Sequence, residues 1–365
     1  MIDKIRNEGN RISDLLDELE QEGIGRKIVI YGAGYCGHEA LSQLNDRKIP
    51  VYAVCDDGRI GQELDGFPVT DISEIKPDER LMIFVTSGFN EAMIGKLKDL
   101  GLYPYYVEAD FGRYEPEKET YSYFSEHKKE VEKVYGLLSD DFSKELFVSL
   151  IQYRISRNAT CLRGMMESTP QYFPDCPDLR NILPRGFEKH AFLDLGAYDG
   201  DSIQGFLHYV DGTYESIVAV EASEKNYEKL KNNCKNLVNS FCVNIGVSDS
   251  RKQLKFNISD AKNSFMSDSG EQVLDVDSVD NITEGKRVSF IKMDIEGAEY
   301  EAIRGARKTI RKYRPVMAVS VYHFTEDLFR LCLEIEKMIP DYYDYYLRHY
   351  SPTMIETILY AVPKM

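Results

Sequence analysis

Apolar positions Ile5, Ile12, Leu15, Leu16 and Leu19 recur at helical spacing, so residues 1 to about 20 are expected to form a helix. Three short apolar runs follow, Lys27–Tyr31, Val51–Cys55 and Leu81–Val85, with helical stretches at His38–Leu44 and Asn90–Leu100. Strands alternating with helices predict a small parallel α/β, Rossmann-like domain over residues 1–112. Residues 113–188 read as a charged linker and a helical segment. Val131, Val134, Leu137 and Leu138, then Phe142, Leu146, Phe147, Leu150 and Ile151, form the core-facing stripe of two helices, with Ser139 as a cap between them. The loop Gln171-Tyr172-Phe173-Pro174-Asp175 either lines a substrate mouth or covers an edge.

Residues 189–365 give the clearest strand series: Ala191–Leu195, Ile217–Val220, Phe241–Ile245, Phe290–Met293, Val316–Tyr322, Tyr345–Tyr350 and Thr357–Val362. The first five are spaced widely enough for crossover helices, and the last two are joined by a short turn with Ser351-Pro352. This predicts a sheet of parallel strands in which the last strand is antiparallel.

Charge and cysteine content narrow the partners. Lys+Arg 45 against Asp+Glu 61 gives a net charge of −16, which disfavours nucleic-acid phosphate as the main partner. The 7 cysteines are scattered and never in C-x-x-C spacing, so neither a disulfide framework nor a zinc site is expected and the chain reads as cytoplasmic. No run of eighteen apolar residues predicts a membrane span. A homo-oligomer is compatible with the sequence, which does not set its order.

Two glycine-rich turns carry candidate chemistry, with opposite electrostatics. Gly32-Ala33-Gly34-Tyr35-Cys36-Gly37 follows a strand and precedes a helix, with Asp56 at the end of the next strand, as a dinucleotide fingerprint would. Either it binds a nucleotide or nucleotide-sugar through Gly32, Gly34, Gly37 and Asp56, or its glycines serve only the tight turn. This stretch, through Leu64-Asp65-Gly66-Phe67-Pro68-Val69, resembles the small N-terminal domains of bacterial sugar acyltransferases. The second turn, Leu193-Asp194-Leu195-Gly196-Ala197-Tyr198-Asp199-Gly200-Asp201, is ringed by carboxylates that would repel a diphosphate and welcome a cation such as S-adenosylmethionine. Glu221, ending the next strand, can accept both ribose hydroxyls.

The block from Leu193 to Gly200, then Val220-Glu221, then Phe290-Ile291-Lys292-Met293-Asp294-Ile295-Glu296-Gly297-Ala298-Glu299 with Arg304-Gly305-Ala306, resembles the FkbM-type methyltransferase family. The ending, Val321-Tyr322-His323 and Leu347-Arg348-His349-Tyr350-Ser351, is similar as well. The resemblance spans about residue 125 to the C-terminus. It implies a class I methyltransferase, Rossmann-like seven-stranded sheet, S-adenosylmethionine as cofactor, and a hydroxyl acceptor on a saccharide or natural product. Carried over by position, Asp194, Gly196, Ala197, Tyr198, Asp199, Gly200, Glu221 and Asp294 hold the cofactor, and Ser248 and Asp249 lie near its adenine.

Ligands of open α/β sheets bind beyond the carboxyl ends of parallel strands. His323 is the first candidate for the base that takes the acceptor's proton, with Asp294 as the alternative and Lys292 as an orienting group. Glu296, Arg348, His349 and Tyr172 are candidate substrate contacts. Glu299 is assigned to the dipole of the helix it begins. Asp294, Glu296 and His323 could form a metal set, but no metal is expected. Two readings compete with the methyltransferase. One is an NAD-dependent oxidoreductase or epimerase using the Gly32 turn, and the other is a non-catalytic nucleotide-sugar-binding protein.

Overall fold

The computed structural model describes all residues except 23–24, 87–90, 109, 113, 175–178, 180–188, 258–264, 267–271, 352 and 365. Asn90, Asp175, Cys176 and Pro352 therefore lie outside the described residues. The chain divides into two compact units, one of residues 1–126, 148–166 and 351–354, the other of 127–147, 167–350 and 355–365.

The first unit is built on strands β1 (Lys27–Tyr31), β2 (Val51–Cys55), β3 (Glu63–Leu64), β4 (Phe67–Thr70), β5 (Leu81–Val85) and β6 (Tyr106–Glu108), in the order β3-β4-β2-β1-β5-β6. The pairs β4-β2, β2-β1, β1-β5 and β5-β6 are parallel, as the alternation with helices requires. β1 is buried from Ile28 onward, with one apolar cluster containing Ile28, Ile30 and Leu41 and another containing Val29, Tyr31 and Leu97. The N-terminal helix is shorter than its apolar spacing suggests. It covers Arg11–Glu22 because the Asn10 side chain accepts the N–H groups of Ile12 and Ser13 and caps it there, while Ile5 is buried ahead of it.

The second unit contains β7 (His190–Leu195), β8 (Tyr214–Glu221), β9 (Ser240–Asn244), β10 (Gly246–Ser248), β11 (Lys252–Asn257), β12 (Phe265–Met266), β13 (Gln272–Ser278), β14 (Phe290–Met293), β15 (Val316–Ser320), β16 (Tyr343–His349) and β17 (Thr357–Pro363). Its main sheet has seven strands in the order β16-β17-β15-β14-β7-β8-β9. β17 runs antiparallel to both β15 and β16, and the other neighbours are parallel. This is the class I methyltransferase arrangement, with the last strand inserted as the antiparallel one. β7, β14 and β15 are buried almost throughout, which explains their unbroken apolar runs. Phe173 packs with Phe192, Phe206 and Phe290, so the loop before β7 contributes to the core.

Three expectations are corrected. Between β9 and β14 the chain builds a second, four-stranded sheet, β10-β13-β11-β12, and, among the described residues, one turn of helix, Val279–Ile282, where a crossover helix was expected. β15 ends at Ser320, and Tyr322 and His323 stand beyond it. Asp140, not Ser139, caps the helix Asp141–Ser156 by accepting the Ser143 N–H at 2.6 Å, whereas the Ser139 hydroxyl accepts the Tyr345 N–H of β16. Among the described residues no helix is long and apolar enough to cross a membrane.

Candidate active site

The carboxyl ends of β7, β8, β14 and β15 set the site. After β7 the chain must clear the loop after β14, and Gly196 permits it. Its φ is +78°, and a Cβ there would sit 1.8 Å from the Asp294 carbonyl oxygen. The N–H groups of Gly196 and Ala197 donate to the Val220 carbonyl, and the turn closes through Gly200, also at positive φ, whose N–H reaches the Ala197 carbonyl at 2.7 Å. Tyr198, in the left-handed region at φ +47°, donates its N–H to Glu221 Oε2 at 2.9 Å. Glu221 Oε1 accepts the Ser223 N–H at 2.8 Å. Burial pushes the Glu221 carboxyl upward, and these two N–H groups only partly counter it. Asp199 is half-buried and Asp201 exposed on the same turn.

Beneath this turn lies a buried ion pair. Lys292 and Asp194 are register partners on adjacent strands, with Nζ 3.2 Å from Asp194 Oδ1 and both side chains at most 4% exposed. Lys292 also donates to the Gly196 carbonyl, and Ser202 donates to Asp194. Burial opposes the Lys292 charge, but the fields of Asp194 and Asp294 outweigh it and hold the lysine above its ordinary range. Burial raises Asp194. Both side chains thus support the turn from within the sheet.

Asp294, just beyond β14, faces the edge with its side chain 21% exposed. The Tyr172 hydroxyl donates to Oδ2 at 2.8 Å and the Tyr322 hydroxyl to Oδ1 at 3.1 Å. Burial works to raise this carboxyl, but Lys292, His323 and the Tyr172 hydrogen bond win and hold it below the usual aspartate range. His323, 5% exposed, has Glu299 Oε1 3.1 Å from Nδ1, and Glu296 Oε2 and Asp294 Oδ1 at 3.5 and 3.6 Å from Nε2. Burial alone would depress an imidazolium. The three carboxylates overcome it and push His323 well above the ordinary histidine range. Glu299 is fully buried and accepts the Ile295 N–H at 2.8 Å, after a turn in which Glu296 and Gly297 both take positive φ.

The remaining candidates fall elsewhere. Arg348 is buried against Asp140, at 2.7 Å, and the Ser143 hydroxyl, at 3.0 Å. His349 is fully buried with Nδ1 2.8 Å from Thr357 Oγ1. Their polar groups hold β16 in place. Ser248 is buried at the end of β10, and Asp249 is engaged by Lys252 and Ser250. In the first unit, Asp56 accepts the N–H groups of Ala33 and Gly58 at 2.7 and 2.8 Å. Gly37 lies where a Cβ would meet the Gly32 carbonyl at 2.0 Å, while Gly34 faces open space. Asp56 and Gly37 thus close the turn itself. Sequence reasoning missed Tyr322 as a partner of Asp294; its place two residues past a central strand was the available signal.

Residues 194–347 match the methyltransferase FkbM domain, and residues 24–107 match the C2185-like N-terminal domain. The chain carries an FkbM methyltransferase domain. It is a methyltransferase, and its second unit has the S-adenosylmethionine-binding fold of that class. Among solved structures it is similar to methyltransferase FkbM from Methylobacillus flagellatus KT, 21% identical with a TM-score of 0.69, covering 96% of this chain and 93% of that chain. That likeness extends the shared fold to both units. It is also similar to Aeropyrum pernix fibrillarin in complex with natively bound S-adenosyl-L-methionine, 14% identical over 48% of this chain and 67% of that chain, with a TM-score of 0.33, too slight to build on. No curated protein matches the chain.

The residues of the FkbM domain suit that cofactor. Glu221 keeps spare lone pairs on both oxygens at the end of β8, and the turn beside it carries the carboxylates of Asp199 and Asp201, a donor set for a ligand with hydroxyls and positive charge.

Proposed function

We propose that this FkbM methyltransferase is an O-methyltransferase acting on a hydroxyl of a saccharide or related natural product. The observation that carries the reading is the Asp294 carboxylate, part-exposed at the sheet edge next to the Gly196 turn and held by two tyrosine hydroxyls. S-adenosylmethionine supplies an activated methyl on a sulfonium. Glu221 takes the ribose hydroxyls, and the backbone of Gly196 to Gly200 shapes the cofactor bed. Asp294 would accept the acceptor's O–H and take its proton as the C–O bond forms and the methyl's C–S bond breaks, its electron pair staying on the sulfur of the departing thioether. A carboxylate held below its usual range suffices, because an alcohol oxygen becomes strongly acidic once it is being alkylated. His323 Nε2 stands 3.6 Å from Asp294 Oδ1, beside the carboxylate. Tyr172 and Tyr322 fix the carboxylate's orientation through their hydroxyls.

The test is methyl transfer from labelled S-adenosylmethionine to a panel of saccharides and hydroxylated natural products, with the product's methylated atom assigned by NMR. Asp294→Asn should lower kcat by about 10²–10⁴-fold while S-adenosylmethionine affinity changes far less. Methyl found on nitrogen or carbon, or an Asp294→Asn enzyme with wild-type kcat, would refute the proposal.

A further inference from the structure

The cluster around His323 is poorly satisfied by protein groups alone. Neither ring nitrogen of this nearly buried imidazole makes a hydrogen bond of proper geometry, although carboxylate oxygens lie 3.1 to 3.6 Å away. Glu299, fully buried, also leaves Oε2 without a partner. Such orphaned atoms are costly in an interior, and three gathered at one point indicate a missing group. Charge points the same way. Asp294, Glu296 and Glu299 face the ring from the loop after β14, and Asp327, 1% exposed, adds a fourth acid from the helix Asp327–Met338. Lys292 is already engaged by Asp194, and Arg330 lies 3.6 Å from Asp327.

We propose that Asp294, Glu299 and His323 bind a divalent first-row cation. One ligand atom from each lies within 4.8 Å of the others. Ligands about 2.1 Å from a tetrahedral metal are about 3.4 Å apart, so the three side chains draw together by up to about 1.4 Å on binding. One imidazole with two carboxylates is a mixed nitrogen and oxygen donor set, suited to Mn²⁺ or Zn²⁺ more than to Ca²⁺. Glu296, with its side chain 37% exposed, stands on the solvent side as a further oxygen donor. The set differs from the sequence-based one by Glu299, whose place in a helix's first turn had suggested only a dipole role. That the cation lies beside the acceptor hydroxyl rests on the proposed O-methyltransferase reading; the binding itself does not.

The experiment uses the full chain, stripped with chelator and dialysed, then titrated with Mn²⁺ followed by its free-ion EPR signal and with Zn²⁺ in competition with a chromophoric chelator. About one cation per chain is expected, with affinity falling about tenfold or more in Glu299→Gln and in His323→Gln, each checked for folding by circular dichroism. Either variant suffices if the other does not fold. No binding of either ion by the wild type, or wild-type affinity in the folded variants, overturns the inference and leaves the cluster as an imidazolium network. Calorimetry with S-adenosylmethionine on the same stripped protein separates the two readings. Cofactor bound without any cation uptake sinks only the metal site, and cation uptake without cofactor binding sinks only the methyltransferase site.

Discussion

Replacing Glu221 by Gln isolates the proposed ribose contact. Each carboxylate oxygen already accepts one backbone N–H, from Tyr198 and from Ser223, so an amide necessarily turns its NH₂ toward one of them. Orphaning one of these N–H groups costs about 1–3 kcal/mol of stability, visible as a lower Tm. The cofactor loses a hydrogen bond to a charged acceptor in a site only 9% exposed. At about 1.5–3 kcal/mol for such a bond, the S-adenosylmethionine Kd should rise about 10- to 150-fold.

The pH dependence gives a second signature. Burial raises the Glu221 pKa, so cofactor affinity in the wild type should weaken as pH falls through a value above the usual glutamate midpoint of about 4.3, because ribose hydroxyls need the ionised acceptor. The stability term has the opposite sign. A folded-state pKa above the unfolded one means the ionised carboxylate burdens the fold above its folded pKa, and protonation between the two values relieves it. Acid should therefore loosen the cofactor without this group loosening the fold. Calorimetric titration at several pH values, on wild type and Glu221→Gln, measures both. A folded variant with a Kd within about twofold of wild type, or a wild-type pH response that survives in the variant, would refute the ribose assignment.

Two further outcomes test the framework. Gly196→Ala should lower stability by more than about 2 kcal/mol in urea unfolding, because the added Cβ meets the Asp294 carbonyl and the φ of +78° disfavours any side chain; an unchanged midpoint would contradict the close approach. In the first unit, Glu119 is 2% exposed and bridges Arg154 and Arg157, accepting from Arg154 at 3.1 Å and from Arg157 Nε at 3.0 Å. Glu119→Gln should cost about 3–5 kcal/mol by the same measurement, since it removes the charge that two buried guanidiniums share.

The main sheet was legible because its central strands are apolar on both faces, and Phe290–Met293 agrees with its sequence bounds residue for residue. The small sheet was not. Lys252–Asn257 and Gln272–Ser278 break the apolar–polar alternation at Lys252-Gln253 and Val273-Leu274, and they pair with each other antiparallel across a long intervening stretch, a contact that periodicity does not report. Local capping failed similarly: Ser139 and Asp140 are both good caps by type, and the choice between them was made by the Tyr345 N–H of a strand two hundred residues away.

The site shows a sharper division between what spacing carries and what only the fold supplies. Parallel topology alone brings Gly196, Glu221, Asp294 and His323 to one edge, so their convergence follows from chain order. Their charge states do not. Lys292 looks like a free cation in the string Phe290-Ile291-Lys292-Met293, yet strand register sets it opposite Asp194, and a lysine facing an aspartate across two buried strands has its charge already spoken for. His323 looks like a base poised near neutrality because its own pKa is near 6.5, and a sequence shows only the residue. The positive-φ turn at Glu296 and Gly297 swings Glu299 back to the Ile295 N–H and against the ring. Three carboxylates around an imidazole favour its protonated form, and that form cannot take a proton from an alcohol. The proposed mechanism therefore gives the proton-accepting role to Asp294, a part-exposed carboxylate to which two neutral hydroxyls already donate.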